Sequence, residues 1–522
     1  MIRHASSCSS VALVLAMIAA PALLVAGCSA GLETVDADEH VAAEQADLSY
    51  SSITFKVATG IDDEHCQLSS TRRDAFGVTG AGIRRQLRVT AGGSEGLCTI
   101  DTAAHTDPGG DAVVLMNRVT FNKRFNLEDT DVTTSLDNGT VNNLGSATTS
   151  IANPLTYTSS IPSNNVGEYS FGASNLASLR VIYTAPHGGW IEQGTSEEVE
   201  RILSLTSVTN YDNRDAAWGL KANWPDGPSP KAHRHWHITA TDISEQSFGK
   251  LGTFMTNGLP YSVAFHGFAS ASYSFDNAAP TGHTCDESAY CTHIVVGGGE
   301  DIMFRRGVAE LLNEVLPSTQ RARAEGASLP SDLMGVAAGN FVNRLAAGSL
   351  GLQLEQSDVV RTDTTVRQNV ADQVRSIYDC LIEPADGSAS GAATGSATSA
   401  DASYATSNAG SDAGTLLRCP RYIADISVNS GATHTFSGGM ASCATDGGAG
   451  GSAHLDYYVM DTGLNRWRRI GGGRINYDAS CNASQATGFQ TPSSTGIGSY
   501  RIVVRASTSS GTAVRATAAI AL

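Results

Sequence analysis

The sequence predicts a multidomain protein: a central α/β domain flanked by a small N-terminal β module and a C-terminal β-sandwich. Three observations predict it. At 522 residues the chain exceeds one ordinary domain. Residues 165–384 alternate apolar β-branched runs with amphipathic stretches, the pattern of strands and helices around a buried sheet. Both flanks carry short alternating runs between Gly-rich turns. A hydrophobic content of 41% is enough for real cores. The net charge of −17 argues against a nucleic-acid partner, because phosphate would be repelled.

Residues 1–28 read as a targeting segment. Met1-Ile2-Arg3-His4 is a short basic start, Val11 to Val25 is apolar, and Leu24-Val25-Ala26-Gly27-Cys28 is a small-residue cleavage site. This resembles a bacterial lipoprotein signal, with Cys28 as the lipidated first residue and membrane attachment through its lipid. The expected location is the outer membrane or cell surface. Residues 29–49 read as a tether, acidic and polar from Glu33 to Asp47. No later stretch is long and apolar enough to span a bilayer. Ten cysteines fit an exported chain. Setting aside Cys8 and Cys28, neighbourhood suggests the pairs Cys66–Cys98, Cys285–Cys291, Cys380–Cys419 and Cys443–Cys481.

Residues 50–150 form the β module, with strands expected at Ile53–Val57, Gln86–Thr90, Ala112–Met116 and Asp131–Ser135, and a helical turn at Arg72–Phe76. Arg73-Asp74-Ala75-Phe76-Gly77-Val78 with Leu87-Arg88-Val89 loosely resembles small swapped-strand β-barrels. Within residues 165–384, strands are expected at Leu179–Thr184, His235–Ala240, Ser262–Phe265, His293–Val296 and Gly351–Leu354. Helices are expected at Thr195–Leu205, Val308–Leu316 and Thr365–Leu381, the first opened by Thr195 with Glu197 and Glu198 in its first turn. Residues 385–414 lack Val, Ile, Leu, Phe, Lys and Arg, and read as a flexible linker spanning roughly 30 Å. Residues 417–522 read as the β-sandwich, with strands at Tyr422–Val428, Leu455–Val459, Trp467–Ile470 and Tyr500–Arg505.

The most informative segment ends the strand at Leu179–Thr184. Pro186-His187-Gly188-Gly189 demands a sharp turn, and Glu192 follows it closely. A His and a Glu facing one volume at a strand end are two thirds of a catalytic zinc site.

His187-Gly188-Gly189-Trp190-Ile191-Glu192-Gln193-Gly194-Thr195-Ser196 resembles the signature of the poly-γ-glutamate hydrolase family, zinc enzymes with a carboxypeptidase-like fold. Trp236-His237-Ile238-Thr239, Phe265-His266-Gly267, and Asn343-Arg344 with Gly351-Leu352-Gln353-Leu354-Glu355 resemble its later motifs, in the same order. The resemblance implies one zinc ion per chain, with His187, Glu192 and His266 as ligands and water at the fourth position. It implies Glu355 as general base, and His237 and Arg344 as partners of the developing oxyanion. Arg344 or Arg361 would clamp a substrate carboxylate. Trp190 stands where the family has a third Gly, so a ring there would narrow the cleft or stack on substrate. The implied substrate is a γ-glutamyl amide, in poly-γ-glutamate or in a peptidoglycan stem peptide.

Alternatives remain open at this point. His233, His235 and His237 would share one face of a strand and could bind copper or nickel loosely. Cys285 and Cys291 suggest a disulfide-closed rim loop beside His283 and His293. The chain could instead be a surface binding lipoprotein that has lost turnover, or a zinc amidase or deacetylase acting on cell-wall components.

Overall fold

The computed structural model describes residues 48–80, 83–144, 165–172, 176–207, 214–223, 231–256, 258–270, 273, 291–325 and 329–382, then strands between 400 and 521. The lipoprotein signal with Cys28, residues 29–47 of the tether, and Cys285, Cys419, Cys443 and Cys481 lie outside the described residues.

Strands β1 (Ser49–Val57), β2 (His65–Gln67), β3 (Gln86–Ala91), β4 (Ser94–Ile100), β5 (Val113–Met116) and β6 (Ser135–Asn143) close into a barrel of order β1-β5-β2-β4-β3-β6. Closure leaves no sheet edge. Period-2 alternation fills the interior with Ile53, Phe55, Leu87, Val89, Val114, Met116 and Val141. The Cys66–Cys98 disulfide ties β2 to β4. Cys291 and Cys380 are also disulfide-bonded. The strand expected at Asp131–Ser135 begins only at Ser135. The Asp131 side chain accepts from the Thr133 amide at 2.7 Å, a local turn that competes with extended pairing.

The central sheet holds β7 (Asn165–Phe171), β8 (Val181–Gly189), β9 (Asp215–Asn223), β10 (Tyr261–Phe268), β11 (Thr292–Gly298), β12 (Arg321–Arg323) and β13 (Leu352–Ser357), in the order β12-β11-β13-β10-β8-β9-β7. Strands β13, β10, β8 and β9 run parallel, while β11 and β7 are antiparallel to their neighbours β13 and β9. Helices Thr195–Ser207, Ile302–Asn313 and Thr364–Ile382 pack on one face through Val199, Leu203, Val308, Leu312, Val374 and Tyr378. Trp218, Trp236, Phe248 and Phe341 fill the opposite face. Along β10, Tyr261, Val263 and Phe265 join the helical layer, and Ala264 joins the other. His266 therefore projects from the face opposite those three helices.

One expected strand is a helix. Lys231–Trp236 is helical, and residues 237–239 are irregular. His233 and His237 thus meet at i,i+4 spacing, rings stacked 4.3 Å apart, while His235 turns away to Glu95. The shared strand face needed by the copper or nickel reading does not exist.

The C-terminal part contains β14 (Ala400–Ala405), β15 (Tyr422–Asn429), β16 (Thr433–Met440), β17 (Ser452–Asp461), β18 (Arg466–Asn476), β19 (Thr487–Gln490), β20 (Ile497–Ser507) and β21 (Arg515–Ala521). They form two four-stranded antiparallel sheets, β14-β21-β16-β19 and β15-β20-β17-β18. Strand β14 falls inside the expected 385–414 linker and pairs with β21 along its whole length. An edge strand needs only backbone groups to pair, so the segment's lack of large apolar residues did not forbid it. Buried arginines dock this part on the central domain. Arg466 donates to the Leu350 carbonyl and Glu300, and Arg501 to the carbonyls of Cys380 and Leu381.

Candidate metal centre

The crevice follows from strand order. From β8 the chain passes through helix Thr195–Ser207 to β9 on one side, whereas β10 lies on the other side of β8. Such a reversal opens a cleft beyond the carboxyl ends of the strands. The β8–β10 ladder stops at Thr184↔Ala264. The β8–β9 ladder slips by one residue between Ala185 and Gly188, around Pro186, which has no N–H to donate. His187 sits in this bulge. Gly189 has φ 68°, and a Cβ there would lie 2.4 Å from the Ala222 carbonyl oxygen. Gly194 has φ 103° against the Arg361 backbone. Both turns need glycine, and together they bring Glu192 back over His187.

His187, Glu192 and His237 offer ligand atoms that all lie within 4.8 Å of one another, a group that could hold a metal ion. His187 Nδ1 is 3.0 Å from Glu192 Oε1, and His237 Nε2 is 3.8 Å from the same oxygen. Metal–ligand bonds of about 2.0–2.1 Å in a tetrahedron place ligand atoms roughly 3.3 Å apart, so these spacings fit. The far nitrogens fit as well. His187 Nε2 donates to the Ile238 carbonyl at 2.8 Å, and His237 Nδ1 donates to Glu64 Oε1 at 2.6 Å. Each acceptor fixes the proton on the outer nitrogen and leaves the inner lone pair free for a metal. Glu192 Oε2 accepts the Gly267 amide at 2.9 Å.

His266 and Glu355 border the same volume. His266 Nδ1 is 3.8 Å from Glu192 Oε2 and 3.9 Å from Glu355 Oε1. The two residues are register partners on parallel β10 and β13. His266 Nε2 is buried without a hydrogen-bond partner. Glu355 Oε1 accepts from Gln353 at 2.8 Å, and Asn340 holds Gln353 in turn at 2.7 Å.

Environment drives the two carboxyl groups apart. Burial pushes Glu192 up, but His187, then His266 and His237, outweigh it and hold it well below the usual carboxylate range. Burial and the neighbouring Glu192 charge push Glu355 well above that range. Burial lowers His266 to about 3, so its ring is neutral. Two carboxyl groups in one pocket with their pKa values pushed apart are the pattern of a ligand beside a proton-transfer group.

Residues 163–380 match the family described as poly-gamma-glutamate hydrolase. This span belongs to the poly-γ-glutamate hydrolase family. A solved bacteriophage poly-γ-glutamate hydrolase is 18% identical, over 42% of this chain and 89% of the phage chain, with a TM-score of 0.27. No curated protein matches the chain.

Within the hydrolase-family domain, His187, Glu192, His237, His266 and Glu355 come together as one cluster. Of the expected ligands His187, Glu192 and His266, the first two converge with His237, which was expected beside the oxyanion, and His266 borders the same volume. The helix at Lys231–Trp236 ends just where His237 can lean against His187, ring centres 4.2 Å apart. The two expected arginines both have protein partners. Arg344 donates to Glu245 and to the Ile243 carbonyl. Arg361 is buried and donates to the carbonyls of Gln356, Gln193 and Phe268, bracing three segments. Trp190 is partly buried against the apolar cluster that contains Trp218 and Trp236. Sequence reasoning missed Glu64 altogether. Burial raises its pKa, but His237 and Arg124 outweigh burial and keep it well below the usual range.

Proposed function

We propose that the protein is a zinc-dependent hydrolase of γ-glutamyl amide bonds, anchored outside the cell as a lipoprotein through Cys28. Poly-γ-glutamate and peptidoglycan stem peptides are the substrate classes. The observation that carries this reading is the convergence of two imidazoles and one carboxylate beside a second carboxyl group, whose pKa burial and the Glu192 charge raise. The expected carboxypeptidase-like architecture accords with the mixed seven-stranded sheet.

In this reading His187 Nδ1, Glu192 and His237 Nε2 hold the ion. Zinc bound there supplies Lewis acidity and brings the pKa of water to about 7. Glu355 takes the water proton and passes it to the departing amine, a task for which a carboxyl with a raised pKa is suited. Gln353 and Asn340 hold Glu355 in position. His266, with its unpartnered Nε2, meets the polarised amide. The family matched by residues 163–380 is described as poly-gamma-glutamate hydrolase, which supports the polymer as substrate.

The test is release of γ-glutamyl products from polymer and from stem peptide, before and after chelation and on zinc return. Activity that disappears and returns is expected. Bound zinc without activity on either substrate would favour an amidase on other cell-wall bonds or a binding protein. Full activity without metal contradicts the reading.

A further inference from the structure

Glu64 belongs to the N-terminal barrel, yet its carboxyl group lies against the metal centre. It directly precedes β2 and is 6% exposed, with a left-handed φ of 66° that is unusual for a residue with a side chain. The Thr120 hydroxyl accepts its amide at 2.7 Å and holds that backbone in place. Glu64 Oε1 accepts from His237 Nδ1 at 2.6 Å. Its Oε2 accepts from the Thr239 amide at 2.8 Å and the Thr239 hydroxyl at 3.1 Å. Arg124, also from the barrel and fully buried, donates to the His237 carbonyl at 2.8 Å and lies 3.7 Å from Glu64 Oε1.

We infer that Glu64 is a positioning residue for the metal centre, and that the barrel therefore completes the hydrolase site rather than standing as a separate accessory module. A carboxylate only accepts hydrogen bonds, so the His237 proton sits on Nδ1. Nε2, the nitrogen 3.8 Å from Glu192, keeps its lone pair for a ligand bond. The barrel also grips the segment that carries His237. Arg234 donates to the Leu127 carbonyl and His235 to the Glu95 carbonyl, both at 2.6 Å. His65 meets Asp242 at 2.7 Å, and the Gln86 side chain donates to the Asp242 carbonyl at 2.5 Å and accepts the Ser244 amide at 3.3 Å. The inference rests on the metal reading above and adds where one of its supporting groups originates.

Glu64→Gln separates positioning from docking. The new amide oxygen can stay with Thr239, but its NH2 would then face His237 Nδ1. That nitrogen must become an acceptor, and the proton moves to Nε2, where it blocks ligation. Zinc affinity of the purified full chain, measured by chelator competition, should fall about 10–100-fold. The metal-free unfolding temperature should fall too, because the buried Arg124 charge loses its partner, so a second variant controls for stability. Gln86→Ala loosens the same interface away from His237, and should lower that temperature while keeping the parent's zinc affinity. Nitrogen NMR of the metal-free parent should show His237 protonated at Nδ1, a readout that stands even if Glu64→Gln fails to fold. A parent that binds zinc beside a Glu64→Gln variant that binds it equally overturns the inference alone. So does an equal loss in Gln86→Ala, or a parent His237 protonated at Nε2. A parent that binds no zinc overturns the metal reading as well.

Discussion

Replacing Arg124 with methionine should unfold the protein from the seam between barrel and hydrolase domain. The Arg124 guanidinium is fully buried and donates to three carbonyls, those of Leu97, Arg234 and His237. It is also the cation beside Glu64. Methionine keeps most of the stem's volume, so little cavity forms, and the loss is electrostatic. Removing one member of a buried ion pair costs about 3–5 kcal/mol, because the partner charge is left uncompensated. The three carbonyls lose their donor together with it, so these costs overlap rather than add. At about 2–4 °C per kcal/mol, the apparent unfolding temperature should fall on the order of 10 °C. Arg73→Met, which loses an exposed pairing with its neighbour Asp74, should stay within about 0.5 kcal/mol of the parent. Scanning calorimetry of the three proteins in chelator reads this directly. An Arg124→Met trace that overlays the parent's would refute the account of the seam.

Two further predictions concern single carboxyl groups. Glu355→Gln keeps the shape and can still accept from Gln353, so folding and zinc content should match the parent while kcat falls about 10²–10⁴-fold; an unchanged kcat would remove Glu355 from the proton-transfer role. Glu198 is fully buried against Gln356 and burial raises its pKa from 4.5 to about 8, with Gln356 and nearby arginines opposing. The folded state therefore binds the extra proton across that window, and its contribution to stability is present below pH 4.5 and is lost as pH rises through about 8. Chemical unfolding from pH 5 to 9 should show stability falling with pH in the parent and a flatter profile in Glu198→Gln, and parallel profiles would contradict the assignment.

Local signals in the chain announced much of this arrangement. The Pro-His-Gly-Gly turn at residues 186–189 and the return to Glu192 are encoded within a few residues, because glycine is needed where a side chain would strike Ala222. Alternation along β13 likewise sends Leu352 and Leu354 to the core and leaves Glu355 on the site face. The strand expected at His235–Ala240 does not form because histidine and tryptophan carry little preference of their own, and the chain there is helical to Trp236. Strand β9 was missed because its Asp-Ala-Ala-Trp-Gly start has little β-branched character, whereas a central strand covered on both faces selects small residues. Glu64 had no local signal at all. Its role depends on a contact 173 residues away, across a domain seam, and nothing around Asp62-Asp63-Glu64 sets it apart from a solvated acidic turn.

The central claim is that His187, Glu192 and His237 hold a single zinc ion while His266 stands beside it. The most direct measurement is zinc stoichiometry after dialysis for the parent, His237→Ala and His266→Ala. The account predicts one zinc per chain in the parent and in His266→Ala, and loss of the metal in His237→Ala. Metal retained in His237→Ala but lost in His266→Ala would contradict the ligand set, and a parent without zinc would contradict the metal centre itself.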